Sequence, residues 1–266
     1  MGFSAPAGKK RLAACAIPPG HSSPRGSQHR VPKKASHRMA CLPDPRAGAD
    51  VCRRGCRDGR TRMRLETICW GPFEENTYLY GDERECILLD PGAPWSELAG
   101  PVAGRKVRAI LVTHSHLDHI YGVDEARDAT GAPVLAPRGE ERGFEDPERN
   151  LSAFFGMPMT RRPADSVVEE GYRLKIGGTV LEVVAVPGHS PAHVIWLGRD
   201  FAFSGDTVFA GSIGRTDLPF SDSALLLRSI REKILALPDE TALYPGHGPR
   251  TTVGTERRFN PFLGAV

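Results

Sequence analysis

The feature that most constrains this chain is a cluster of metal-binding residue types at the end of an apolar segment. Val107–Thr113 is short, apolar and rich in β-branched residues, which predicts a buried strand. His114 and His116 follow it two residues apart, so on an extended backbone both imidazoles face one side and can share a metal ion. Asp118 and His119 come next, where a helix is predicted to start and the chain changes direction. Their side chains can therefore point to a second position, a short distance from that of the first metal ion. The segment therefore predicts a metal site at a strand end.

Three further residues extend this cluster from elsewhere in the chain. His189, Asp206 and His247 each follow a predicted strand and are each preceded by a glycine, which permits the close backbone approach of a ligand loop. Residues 63–266 contain six histidines, and five of them belong to this pattern. The sixth, His193, is expected to pack against the site or support it. The joint pattern indicates one site assembled from several strand ends.

Seven candidate ligands exceed the number that one first-row ion takes in a catalytic site. They predict two divalent ions with Asp206 shared between them; zinc is favoured, and iron or manganese is possible. The expected chemistry is hydrolysis by a hydroxide that bridges the two ions, so Asp118 and Asp206 are the predicted catalytic residues, acting through that hydroxide. Neither a Ser-His-Asp or Cys-His arrangement nor a phosphate-binding glycine motif is evident in the sequence. The predicted metal ligands are His114, His116, Asp118, His119, His189, Asp206 and His247.

The chain divides into two parts of opposite charge. Residues 1–62 carry 14 Lys and Arg against three acidic residues, whereas residues 63–266 carry 21 against 29. The first part also has seven Pro and seven Gly and no apolar periodicity, so a disordered basic extension is expected. A targeting peptide, or a true start at Met63, is the alternative for it. Residues 63–266 are expected to form the hydrolase domain, and their acidic balance argues against nucleic acid as a partner.

Apolar runs and cysteines bear on the location of the chain. No apolar run approaches the roughly 20 residues that span a bilayer, so no membrane association is expected. Four of the six cysteines lie in residues 1–62, and no disulfide framework is indicated. This usage favours a reducing compartment and a cytoplasmic location.

Strand and helix signals in residues 63–266 favour an α+β domain. Three short strands separated by turns predict an antiparallel meander, and more strands follow a long polar segment, 137–166, of the kind that often forms a functional loop. Helices are predicted at Asp118–Thr130 and Ser221–Leu237, the second with Ser221 as its cap. Strands and then a helix, repeated in two halves, favour two sheets packed face to face with helices outside. The predicted strands are Leu65–Trp70, Thr77–Gly81, Cys86–Asp90, Val107–Thr113, Val134–Ala136, Tyr172–Ile176, Thr179–Val186, Ala192–Leu197, Phe201–Ser204 and Thr241–Tyr244.

Four motifs, in their order along the chain, resemble those of the metallo-β-lactamase superfamily. They are Thr-His-Ser-His-Leu-Asp-His at 113–119, Pro-Gly-His-Ser at 187–190, Ser-Gly-Asp-Thr at 204–207 and Pro-Gly-His-Gly at 245–248. Within that superfamily, residues 205–217 and 246–262 resemble the short bacterial type of glyoxalase II, or hydroxyacylglutathione hydrolase. The resemblance covers essentially all of residues 63–266. It implies an αβ/βα four-layer sandwich and hydrolysis of a small thioester, with S-lactoylglutathione the substrate of the family.

The same resemblance implies how the ligands divide between two ions. The first ion would be held by His114, His116, His189 and Asp206. The second would be held by Asp118, His119, Asp206 and His247. Asp206 is therefore the ligand that the two ions share.

Glutathione recognition is where this chain departs from the long glyoxalase II enzymes. Those enzymes carry a helical domain after the last metal-binding histidine, and its basic residues hold glutathione. Only 19 residues follow His247, so that domain is not expected here. Arg215, Arg257 and Arg258, together with the 137–162 loop, are candidate replacements.

Other activities on the same fold remain as alternatives to the cleavage of a small-molecule thioester. One is a persulfide dioxygenase with a single iron, from whose pattern Ser212–Gly214 and Pro245–Gly248 differ. Another is a lactone hydrolase with much the same ligand set. Antibiotic-hydrolysing relatives have a different residue at the position of Asp206. The non-hydrolytic alternatives are a metal-dependent binding module and an oxygen-reducing domain with a flavin partner.

Overall fold

The computed structural model describes residues 62–264, and its first sheet has six strands in chain order. The first three strands pair antiparallel, which confirms the predicted meander, and the remaining strands add in parallel. The prediction for residues 1–62 lies outside the described residues, Arg62 excepted. The strands are β1 (Arg64–Trp70), β2 (Glu75–Gly81), β3 (Glu85–Leu89), β4 (Lys106–Leu111), β5 (Val134–Pro137) and β6 (Ser166–Val168).

The second sheet also has six strands. They are β7 (Arg173–Ile176), β8 (Thr179–Ala185), β9 (Val194–Leu197), β10 (Phe201–Gly205), β13 (Ala242–Pro245) and β14 (Thr251–Thr252). A separate hairpin consists of β11 (Val208–Phe209) and β12 (Ser212–Ile213). The order across the second sheet is β14-β13-β10-β9-β8-β7, and only β10 and β13 pair in parallel. Because β10 and β13 run the same way, the residues that follow them emerge at one edge of the sheet.

Successive side chains along each strand point to opposite faces of the sheet, so the two sheets and their helices enclose three apolar layers. In β2, Tyr78 faces the second sheet, where it packs with Phe203, whereas Leu79 faces the helices on the other side. The two sheets enclose a core that includes Trp196, and helical residues such as Leu226 cover the outer face of the second sheet. The layers thus run helix, sheet, sheet, helix, which confirms the four-layer sandwich.

Helices cover the outer faces of both sheets. The first sheet carries α1 (Trp95–Val102), α2 (Leu117–Ile120) and α3 (Val123–Thr130), and the second carries α4 (Ser223–Ser229), a π-helical turn at Ile230–Ile234, and α5 (Val253–Phe259). Among the described residues, no helix combines the length and apolar character needed to cross a membrane.

Two of these helices differ from their predictions. The helix expected at Asp118–Thr130 is interrupted at Gly122, where a side chain would collide with the backbone of Ala93. The helix expected from Ser221 begins two residues later, and Asp222 caps it by accepting a hydrogen bond from the backbone of Leu225. The first difference matters for the site, because the break leaves Asp118 on a separate short helix.

Candidate metal centre

Four strand-end loops bring all seven predicted ligand side chains to one edge of the sandwich. The connection after β4, which includes the short helix α2, carries four of them, and the loops after β8, β10 and β13 carry one each. His116 Nδ1 lies 3.0 Å from His114 Nε2 and 2.9 Å from His189 Nε2. His247 Nε2 lies 3.4 Å from Asp118 Oδ2. Seven residues spread over more than 130 positions of the sequence therefore form a single cluster.

Asp206 lies between two groups of ligand atoms. Its Oδ1 is 3.3 Å from His119 Nε2, and its Oδ2 is 3.4 Å from both His189 Nε2 and His247 Nε2. A side chain at Gly246 would collide with this carboxylate, so the glycine is required for the approach. Within each of three groups the ligand atoms lie within 4.8 Å of one another: His114, His116 and His189; His114, His119 and Asp206; Asp118, His119 and His247.

The donor set fits divalent cations. His119 Nε2 and Asp206 Oδ1 are buried and lack a hydrogen-bond partner among the described residues, a costly state that a bound cation relieves. In three of the histidines the Nδ1 atom has a hydrogen-bonding partner outside the cluster, which orients the Nε2 atom towards the cluster. Nδ1 of His189 lies 2.9 Å from the Arg215 carbonyl, and Nδ1 of His247 lies 2.9 Å from the Phe73 carbonyl. Nδ1 of His119 lies 3.1 Å from an oxygen of Asp90.

Burial and charge set the protonation states of the cluster. Burial, together with the neighbouring histidines, holds the pKa values of His114 and His116 well below the usual range. Burial acts to raise the pKa of Asp206, but His119 and His247 outweigh it and hold that pKa well below its usual value. Burial likewise acts to lower the pKa of His247, but the carboxylates of Asp206 and Asp118 raise it to about 10. Metal ions bind neutral imidazoles and ionised carboxylates, so His114, His116 and Asp206 are already in the required form, whereas binding at His247 displaces a proton.

Sequence comparison identifies the family to which this cluster belongs. A sequence model of the metallo-beta-lactamase superfamily matches residues 70–247, which contain all seven clustered side chains. The chain belongs to this superfamily. Members of the superfamily bind divalent metal ions, and the His/Asp groups described above are the candidate sites in this one.

Two curated relatives and two solved structures are similar over nearly their whole lengths. Probable metallo-hydrolase YqgX of Bacillus subtilis is 39% identical over 76% of this chain and 98% of its own. Hydroxyacylglutathione hydrolase GloC of Haemophilus influenzae is 32% identical over 76% of this chain and 99% of its own. The BLEG-1 B3 metallo-beta-lactamase structure has a TM-score of 0.72 at 40% identity, covering 76% of this chain and all of its own. TTHA1623, solved in a di-iron-bound form, has a TM-score of 0.66 at 36% identity, covering 74% of this chain and all of its own.

Two buried carboxylates support the metallo-β-lactamase cluster from behind. Asp90, at the end of β3, accepts hydrogen bonds from the backbone N–H of Thr113 (2.7 Å) and its hydroxyl (2.6 Å), and it also contacts His119. Glu140 accepts from the backbone and hydroxyl of Ser115, at 3.0 and 2.7 Å. The same carboxylate accepts from the hydroxyl of Ser190 (2.6 Å) and the backbone N–H of Ala192 (2.9 Å). Glu140 therefore ties the His114–His116 loop to the His189 loop.

Sequence reasoning missed both carboxylates as site residues. Asp90 had a usable signal, because it ends an apolar strand in the same way as the predicted ligands. Glu140 had none, since it lies in the polar 137–166 segment, where acidic residues are common. His193 supports the site, because its Nε2 lies 3.0 Å from the backbone nitrogen of Asp206.

A cavity of about 160 Å³ opens directly onto the cluster. Asp118, Asp206 and His247 line it, and so do Phe155 and Arg215. The Arg215 guanidinium makes two hydrogen bonds of 2.8 Å to Asp217, an exposed acid. Part of the predicted 137–162 loop therefore reaches this cavity, and so does Arg215.

The other two predicted substrate residues lie elsewhere. Arg257 and Arg258 are on α5, where both form ion pairs with Asp239. Arg257 also donates to the carbonyls of Leu235 and Leu237. Neither arginine lines the cavity at the cluster. In this structure, these contacts attach α5 to the 235–239 segment.

Proposed function

We propose that this chain hydrolyses small glutathione thioesters of the S-lactoylglutathione type with two bound divalent ions. The observation that carries the proposal is the cluster of seven candidate ligand side chains, in which the Asp206 carboxylate contacts His119, His189 and His247 beside an open cavity. The 32% identity to a hydroxyacylglutathione hydrolase supports the choice of substrate class. By the family resemblance, one ion would be held by His114, His116, His189 and Asp206, and the other by Asp118, His119, His247 and Asp206.

When bound, such ions supply Lewis acidity, which acidifies water and polarises a carbonyl group. Zinc is the first expectation for this donor set, although a relative is known in a di-iron form and the donors also suit iron and manganese. The protein's own contribution is to hold the donors in place. Asp206 fixes the spacing of the two groups, because its two oxygens contact histidines from both.

Asp118 is the residue placed to handle a proton of the attacking water. Burial acts to raise the pKa of its carboxyl, but His119 and His247 more than compensate and lower it, so the group is ionised at neutral pH. It lines the cavity at the cluster, where an ionised carboxylate can accept a hydrogen bond from a water molecule and orient it. Phe155, Phe209 and Leu218 line the same cavity and exclude bulk water from one side.

Hydrolysis of a β-lactam is the second candidate, because a structure that is 40% identical bears the name of a B3 metallo-beta-lactamase. Both reactions attack a carbonyl group with water. They differ in the leaving group, which is the thiolate sulfur in one case and the ring nitrogen of the lactam in the other. Competing substrates therefore separate them.

The test is thiol release from S-lactoylglutathione by the full chain loaded with zinc, iron or manganese. Asp206→Ala should lower kcat/KM by about a thousandfold or more, since it removes a donor to both ions. Asp200→Ala is the matched control, because this exposed acid lies at the opposite end of β10, and it should leave kcat/KM unchanged. Oxygen consumption with glutathione persulfide and no thiol release would refute the proposal. Faster cleavage of a lactone or a chromogenic cephalosporin than of the thioester would identify the lactonase or β-lactamase reaction as the activity in place of thioester hydrolysis.

A further inference from the structure

A second, larger cavity of about 450 Å³ adjoins the one at the cluster. The two cavities share Phe73, Leu117 and Asp118, so a molecule reaching the cluster at Asp118 can extend into the larger cavity without leaving the protein. A volume of this size is typical of sites for small organic ligands. A lactoyl group would leave most of it unfilled.

The walls of this larger cavity are mainly apolar. They include Trp70, Phe73, Leu117, Tyr121, Met157 and Met159. Trp70 and Tyr121 stack with ring centroids 5.3 Å apart, which holds a flat aromatic wall in place. Tyr121 is 43% exposed and Met157 is 48% exposed, so the mouth presents apolar side chains to solvent. Exposed apolar surface next to a reactive site is typical of a surface that binds an apolar ligand group.

The charged groups of the cavity bear on which part of a thioester it can take. Glu75 and Asp118 are its carboxylates, and both lie at the inner end beside the cluster. Arg161 is its basic residue, and that side chain is already engaged, since it donates to the carbonyls of Ile120 and Tyr121 and lies over the Tyr121 ring. The glutathione part of a thioester is charged, whereas the walls of this cavity are mainly apolar and its one lining arginine is already engaged. An uncharged acyl substituent therefore suits these walls better than glutathione does.

We infer that the larger cavity binds the acyl group of the thioester and that it selects an aromatic acyl group over lactoyl. This inference rests on the proposed thioesterase function and specifies its substrate class. The acyl carbonyl lies at the cluster beside Asp118, and its substituent extends between the Trp70–Tyr121 wall and Met157. The glutathione part then occupies the other side of the cluster, where Arg215 lines the smaller cavity. Methionine side chains adapt to rings of different shape, which suits the mouth of such a pocket.

The test compares two thioesters that differ only in this substituent. S-mandeloylglutathione and S-lactoylglutathione share the 2-hydroxyacyl group and the thiol, and a phenyl ring replaces a methyl group. With the metal-loaded full chain, kcat/KM should be at least about tenfold higher for the mandeloyl compound, because burial of the ring is available only to it. Met157→Glu should remove this preference and bring the ratio of the two kcat/KM values to about one, since it places a carboxylate beside the ring that the apolar mouth would otherwise bury.

Two controls keep the result specific. Met157→Leu retains an apolar mouth and should retain the preference. Val180→Glu places the same charge on an apolar residue of similar exposure (46%) that lies outside the cavity, and it should also retain the preference. Binding is measured separately by titrating the metal-free chain with uncharged mandelamide and following tryptophan fluorescence. A saturable change is expected that Trp70→Phe lacks and that lactamide does not produce.

The outcomes separate this inference from the function on which it rests. Failure to cleave either thioester refutes the thioesterase proposal. Cleavage of both with equal kcat/KM, or with the lactoyl compound preferred, refutes the acyl-pocket inference alone. The inference also fails if Met157→Glu leaves the mandeloyl preference intact, or if mandelamide causes no fluorescence change that depends on Trp70.

Discussion

Glu140 offers a direct test of how the ligand loops are held, because its carboxylate joins two of them without touching a ligand imidazole. Each of its two oxygens accepts one hydroxyl and one backbone N–H, and the side chain is 3% exposed. Glu140→Gln keeps the size of the side chain but turns one acceptor oxygen into an N–H₂ group. Whichever way the amide is oriented, one backbone N–H, from Ser115 or from Ala192, then faces a donor.

The magnitude follows from these contacts. One buried N–H left without an acceptor costs about 1–3 kcal/mol, and the remaining hydrogen bonds lose the strength that a charged acceptor gave them. The free energy of unfolding of the metal-free chain should therefore fall by roughly 3–5 kcal/mol. Metal affinity should fall by about tenfold, the lower end of the range for supporting groups, because Glu140 contacts the neighbours of His116 and His189 and not their rings.

Glu256→Gln is the matched control. Glu256 is 1% exposed and accepts hydrogen bonds from the backbone of Gly211 (2.9 Å), the amide of Asn260 (2.8 Å) and the hydroxyl of Thr251. It lies on α5, in no contact with the ligand cluster, so its replacement should lower stability without changing metal affinity. Urea unfolding measures the first quantity, and competition with a chromophoric chelator measures the second. Equal metal affinity in the Glu140 and Glu256 variants would refute the role given to Glu140.

Two further predictions concern stability and the limits of the domain. The metal-free chain should lose on the order of 3 kcal/mol between about pH 6.5 and pH 5, measured by urea midpoints. Burial lowers the pKa values of three histidines, so unfolding takes up protons at these residues in this range. Glu75, His119 and His247, whose pKa values are raised in the folded chain, oppose part of this loss, because folding increases their affinity for protons. The three histidines with lowered pKa values are His114, His116 and His193. A urea midpoint that rises as the pH falls would contradict this prediction. A chain of residues 63–266 alone should keep the melting temperature and kcat/KM of the full chain within error, and a fall in either would show that residues 1–62 contribute.

The ligand positions were predictable because each one follows a strand whose own signal is local. His189, Asp206 and His247 come after β8, β10 and β13, and apolar runs of four to eight residues mark those strands in the sequence. This signal survives folding, because the spacing of side chains along a strand does not depend on its tertiary partners.

Features that depend on distant partners were not predictable in the same way. Glu140 bonds to residues 25 and 50 positions away, and no periodic pattern marks such a pair. Helix α1 contains Gly100 and Pro101, whose low helix propensity hides it, although Leu98 and Val102 bury its inner face. Arg257 and Arg258 lie within a stretch that resembles the family closely, yet charge alone does not reveal that Asp239 pairs with both.

The candidate metal ligands and much of the wall of the larger cavity come from different parts of the fold, and this separation has a consequence for specificity. The candidate ligands follow strands of the sandwich, with Asp118 and His119 on the short helix α2 after β4. The cavity walls include the β1–β2 turn and the 151–161 segment, which connect regular elements, besides Trp70, Leu117 and Tyr121. Substitutions in these connections can change the shape and charge of the cavity without moving a strand. Such a substitution should therefore change which substrate groups the cavity accepts while the cluster of candidate ligands stays intact.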